Sequence, residues 1–109
     1  MSRGSNILAA SAALFALAAP AVAGNMADCT YKGSISGKTA TIVVQGSEPV
    51  SYRWGNYNAK KVSQDGNTIY IDAATLANLS VGATQSGKPA FQGVWRYKGN
   101  NENVTFICR

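Results

Sequence analysis

The sequence predicts an all-β fold: a small antiparallel meander closing into a barrel of six to eight strands and stapled by one disulfide, with a two-sheet sandwich as the alternative. Three observations lead there. Apolar and polar residues alternate with period two through most of the chain after residue 28. Turn-forming clusters break that alternation at intervals of about 8–12 residues. The two cysteines, Cys29 and Cys108, fall in the first and last alternating runs.

The elements follow in order. Cys29 and Tyr31 share one face of a short first strand. Ala40, Ile42 and Val44 then alternate with Thr39, Thr41 and Val43, and Val50, Tyr52 and Trp54 alternate with Ser51 and Arg53. Ile69 and Ile71 flank Tyr70. Phe91, Gly93, Trp95 and Tyr97 form one face of a later strand, and Val104, Phe106 and Cys108 one face of the last. These runs are rich in β-branched and aromatic residues, which fit a pleated, half-buried surface. Between them lie Ser36-Gly37-Lys38, Gly46-Ser47-Glu48-Pro49, Gly55-Asn56, Asp65-Gly66-Asn67, Ser86-Gly87-Lys88-Pro89 and Gly99-Asn100-Asn101. Asp65-Gly66 is the strongest tight-hairpin signal among them. The segment 73–82 reads two ways. It is a helical turn capped by Asp72, or an extended run with Thr75, Ala77, Leu79 and Val81 on one face; the surrounding strands favour the second.

The first 23 residues read as a secretory signal peptide. Arg3 supplies a weak positive charge, Ile7 to Val22 is an Ala/Leu-rich apolar run, and Ala21-Val22-Ala23 has the small-x-small cleavage pattern. Residues 24–109 are then a single β domain, periplasmic or secreted. No second apolar run follows, so no transmembrane segment is expected. An oxidising compartment favours pairing of Cys29 with Cys108. Such a bridge closes a loop of roughly 80 residues and ties the first strand to the last.

Composition narrows the chemistry. The 109 residues include no His and only two Cys. A Ser-His-Asp triad, a Cys-His dyad and a His-ligated metal are therefore out, and two thiols alone build no zinc or iron–sulfur site. Asp65 and Asp72 bracket one strand and would stand about 23 Å apart, too far to share a glycosidic bond. The sequence thus assigns no catalytic residue, no metal ligand and no cofactor, and predicts a non-enzyme. Ten Lys and Arg against five Asp and Glu give a net charge of +5. An exported address makes nucleic acid an unexpected partner for this charge; anionic envelope glycans or lipid head groups fit better. Two aromatic clusters stand out: Tyr52, Trp54 and Tyr57 with Arg53, and Trp95 and Tyr97 with Arg96. Strand parity turns Tyr52, Trp54, Trp95 and Tyr97 inward and Arg53 and Arg96 outward. Tyr57, beside Gly55-Asn56, is the aromatic expected at the surface. Tyr57, Arg53 and Arg96 are accordingly the candidate ligand-binding residues.

Along the chain come Cys29, Val50-Ser51-Tyr52, Ser86-Gly87-Lys88, Trp95-Arg96-Tyr97-Lys98-Gly99, Val104-Thr105-Phe106 and Cys108. This order resembles the bacterial periplasmic and membrane-bound inhibitors of C-type lysozyme. The resemblance implies a small, disulfide-stapled antiparallel barrel. It also implies that a Ser-Gly loop and a nearby Lys enter the lysozyme cleft against its catalytic carboxylates. It assigns Ser86 and Lys98 to that inhibitory loop, through charge-assisted hydrogen bonds. The expected function is thus an exported, non-enzymatic binding or interaction module, most concretely an inhibitor of a cell-wall-degrading lysozyme. The alternatives are a module that binds envelope glycan or an anionic surface, and a secreted effector that engages a host protein.

Overall fold

The computed structural model describes residues 18–20 and 26–109. Most of the proposed signal peptide lies outside the described residues. The strands are β1 (Ala18–Pro20), β2 (Cys29–Ile35), β3 (Lys38–Gln45), β4 (Glu48–Trp54), β5 (Tyr57–Asn58), β6 (Val62–Asp65), β7 (Thr68–Ile71), β8 (Ala74–Ala83), β9 (Pro89–Tyr97) and β10 (Asn100–Cys108). There is no helix among the described residues, and none long and apolar enough to cross a membrane. Segment 73–82 is extended: all but its first residue belong to β8.

All strand pairs are antiparallel, in the order β5-β4-β3-β2-β10-β9-β8-β7-β6, and the single sheet curls into a half-barrel. The backbone of β1, inside the proposed signal peptide, pairs with β8 through Ala18–Gly82, Ala19–Val81 and Pro20–Ser80. Among the described residues the strand count is therefore ten rather than six to eight, because β1 and β5 add two very short strands. At the free edge the Ala59 N–H donates to the Tyr52 carbonyl at 2.9 Å, which brings the chain entering β6 beside β4.

Two-residue hairpins make the meander. Ser36-Gly37, Gly46-Ser47 and Lys98-Gly99 have positive φ at both central positions, the twist that suits a right-handed strand pair. The turn between β7 and β8, Asp72-Ala73, has no glycine, and Asp72 takes φ 50° itself. Aspartate tolerates this left-handed geometry better than most residues.

Two bulges shift faces that simple alternation assigns. In β4, Val43 pairs with Ser51 but Val44 pairs with Pro49, so Val50 is the extra residue. Val50 is 50% exposed and Pro49 is buried, which corrects the inward placement of Val50. In β8, Ala77 pairs with Val94 and Ser80 with Gln92, leaving Asn78 and Leu79 opposite Gly93. Asn78 has φ 54°, and the bulge turns both Leu76 and Leu79 inward. A Cβ on Gly93 would stand 2.7 Å from the Ala77 carbonyl oxygen, so this crossing needs a glycine.

The core has two aromatic layers. Near the disulfide, Tyr31, Phe91 and Phe106 interlock, with ring centroids 4.9 Å apart for Tyr31–Phe91 and 5.1 Å for Phe91–Phe106. Cys29 and Cys108 are bonded there, with Cα atoms 5.7 Å apart. At the opposite end Tyr52 and Trp95 stack at 5.5 Å.

Candidate functional site

The chain direction in each strand puts four turns at the end away from the disulfide: Ser36-Gly37, Gly55-Asn56, Asp72-Ala73 and Lys98-Gly99. Between them opens a cleft of about 330 Å³, with Tyr52, Trp54, Tyr57, Trp95 and Tyr97 among its walls. This volume is at the small end of ligand sites. Ile35, Ile71, Ala73 and Ala74 also line the cleft.

Period-two geometry presents the rings. Tyr52 and Trp54 are two apart on β4, and Trp95 and Tyr97 two apart on β9, so each pair shares a face. Strands β3, β2 and β10 lie between β4 and β9 in the sheet. Curling nevertheless stacks Tyr52 on Trp95 with their planes 16° apart. Tyr52 is 3% exposed, and burial, with a smaller contribution from Tyr57, pushes its hydroxyl pKa up. The Trp54 indole N–H donates to the Ile35 carbonyl at 2.8 Å, fixing that ring. Tyr57 is 49% and Tyr97 39% exposed. Tyr97 thus departs from its expected place in the core: its parity is inward, but it is the last residue before the turn and passes the rim.

Asp72 is the carboxylate among the lining residues. It accepts a hydrogen bond from the Tyr57 hydroxyl and others from the Lys61 N–H at 2.9 Å and the Lys60 N–H at 3.1 Å. These bonds, that from Tyr57 first, hold its pKa below the ordinary carboxylate value. The same bond raises the pKa of Tyr57. Glu102 is also at this end, where it accepts from the Ser36 N–H at 2.9 Å. Two lysines lie against the rings. The Lys38 ammonium is 4.7 Å from the centre of the Trp54 ring and that of Lys98 is 5.3 Å from Tyr97, both within cation–π range.

The structure separates the residues singled out from the sequence. Tyr57 lines the cleft and Lys98 stands at its mouth. Ser86 is in the turn after β8, at the disulfide end, so nine-residue β9 runs between Ser86 and Lys98, a span of about 30 Å. The geometry does not bring these two into one loop. Arg53 and Arg96 are exposed on the outer face; Arg53 donates to the Gly55 carbonyl at 2.9 Å, and three strands separate the two. Sequence reasoning missed Asp72, which it took for a strand end, and Lys38. No local motif marks either, because Asp72 gains its role from partners 11 to 15 residues earlier. Among the described residues no group of three or more His, Cys, Asp or Glu is placed to hold a metal. Comparison of the chain with protein-family models, curated proteins and solved structures finds no match.

Proposed function

We propose that this protein is an exported, non-enzymatic binding module that takes a segment of glycan in the aromatic cleft. The observation that carries the reading is the convergence of five aromatic side chains on one open cavity. Tyr and Trp offer flat apolar faces with polar tips, which suit a partner that is apolar on one side and hydroxylated on its edge. The apolar run ending in Ala21-Val22-Ala23 and the single disulfide support export. The state of the carboxylates supports binding over catalysis. Asp72 and Glu102 at the cleft end are both taken up by backbone N–H groups, and a depressed Asp72 pKa makes a poor general acid. The lysozyme-inhibitor reading needs Ser86 and Lys98 to act together, and the length of β9 between them weighs against it.

The two tryptophans of the chain both line the cleft, so their emission reports on it. Titration of the purified protein with a chitin oligosaccharide should change that emission saturably. Trp54→Ala and Tyr57→Ala should each weaken binding by about three- to tenfold, with circular dichroism confirming the fold. The same protein should leave hen lysozyme turnover unaffected. Unchanged emission together with lysozyme inhibition that disappears in Ser86→Ala and Lys98→Ala would overturn the glycan reading in favour of the inhibitor.

A further inference from the structure

The charges around the cleft carry the argument to the kind of glycan. Each outer aromatic wall has a lysine ammonium over its ring: Lys38 on Trp54 and Lys98 on Tyr97. Both lysines are exposed. Lys60 and Lys61 add two further exposed cations beside Asp72. Two acids, Asp72 and Glu102, stand at this end against these four lysines, and the charge of Lys60 already acts on Asp72. The Asp72 carboxylate faces the Lys60 and Lys61 N–H groups and the Tyr57 hydroxyl. The Glu102 carboxylate faces the Ser36 N–H and hydroxyl. Neither acid reaches a lysine ammonium through these bonds. Trp54 and Tyr97 therefore each carry an exposed cation against the ring.

Resting on the glycan reading, we propose that the cleft selects an acidic saccharide: a sugar ring stacked in the aromatic walls, with its carboxylate held at the rim by Lys38 and Lys98. The two contributions differ in kind. Stacking sets the affinity for the ring and is insensitive to salt. The lysines act on the carboxylate in exposed positions, where salt screens them.

The test is a tryptophan-emission titration with three probes at matched chain length: an oligogalacturonate, a neutral chitin oligosaccharide and a polyglutamate peptide. In dilute buffer the oligogalacturonate should bind about tenfold tighter than the neutral sugar. That ratio should approach one near molar salt, where the Debye length falls to about 3 Å. Lys38→Met and Lys98→Met keep the apolar stems. Each should lower the acidic-to-neutral ratio by about two- to fivefold. Equal affinity for the two sugars, or a ratio untouched by both substitutions, overturns this inference and leaves the glycan reading standing. Polyglutamate binding as well as the oligogalacturonate overturns the inference in favour of a polyanion site. Failure of both sugars to bind overturns the glycan reading as well.

Discussion

At the disulfide end of the half-barrel, Tyr31, Phe91 and Phe106 pack ring against ring and are fully buried. At the other end Tyr52 stacks on Trp95 in a comparable way, yet Tyr57 and Tyr97 beside them stand half in solvent. Both layers arise from alternating aromatic positions, on the adjacent strands β2, β10 and β9 at the disulfide end and on β4 and β9, brought together by the curl of the sheet, at the other. The difference lies in what surrounds them. The disulfide end has Met26 buried as the chain enters, the Cys29–Cys108 bond, and Asp28 accepting from the Gly46 and Ser47 N–H groups at 3.0 and 2.7 Å. The cleft end has the small Ala73 and Ala74 at the β7–β8 turn among its lining. The bond and the Asp28 ties are thus at one end and the accessible aromatic surface at the other.

The largest effect should come from the bond itself. Cys29 and Cys108 are 79 residues apart, and the chain-entropy model assigns a closure of that length about 4–5 kcal/mol as an upper figure. A Cys29→Ser/Cys108→Ser double variant should lose most of that in urea unfolding. The ladder at that seam is short, with Ile107 opposite Lys32 and Cys108 opposite Tyr31. A loss under about 1 kcal/mol would mean that this ladder holds the seam unaided, and the contrast between the ends would weaken.

The next effect sharpens the contrast directly. Phe106→Ala empties part of a sealed layer and should cost about 3–5 kcal/mol. Tyr97→Ala removes a ring already at the rim and should cost under about 1 kcal/mol. Similar costs for the two would show that the cleft end is core and not site.

The sequence made seven of the strands and most of the turns legible, though not β1, β5 or β6, for a simple reason. A two-residue hairpin with positive φ selects Gly, and Gly37, Gly46, Gly55, Gly66 and Gly99 mark five of them. Asp72-Ala73 lacked that mark, so Asp72 passed for a strand end. Alternation also fails at a bulge, since one inserted residue reverses every face beyond it. Val50 came out exposed and Leu76 inward for that reason. The two halves of the cleft were each visible as local clusters, Tyr52-Trp54-Tyr57 and Trp95-Tyr97. Their union was not, because β4 and β9 meet only through the curl of the sheet across three intervening strands. Parity tells which way a side chain points; it does not tell how near the mouth of a barrel it sits. Tyr97 shows the limit, pointing inward from a position beyond the rim.

The smallest effect concerns the bond between Tyr57 and Asp72, which ties the exposed wall of the cleft to its acidic turn. Asp72 has a folded pKa below its ordinary value, so its contribution to stability is complete above about pH 4 and fades as pH falls through the lower folded value. Tyr57 is shifted upward by the same bond, so its contribution is complete below about pH 10 and fades as pH rises through the higher folded value. Asp72→Asn retains a residue that accepts the φ of 50° but removes the charge and replaces one of the two accepting oxygens by an NH2 donor. The difference in urea midpoint between the parent protein and Asp72→Asn should therefore be level from about pH 5 to 9 and shrink on both sides. Tyr57→Phe should remove the alkaline fall from this profile and weaken the acid one, because the Lys60 and Lys61 N–H groups still hold the carboxylate. A difference that stays level down to pH 2 would mean that Asp72 gains nothing from these donors. The exposed wall would then stand on packing alone, and the two ends of the barrel would differ only in how much of each ring is covered.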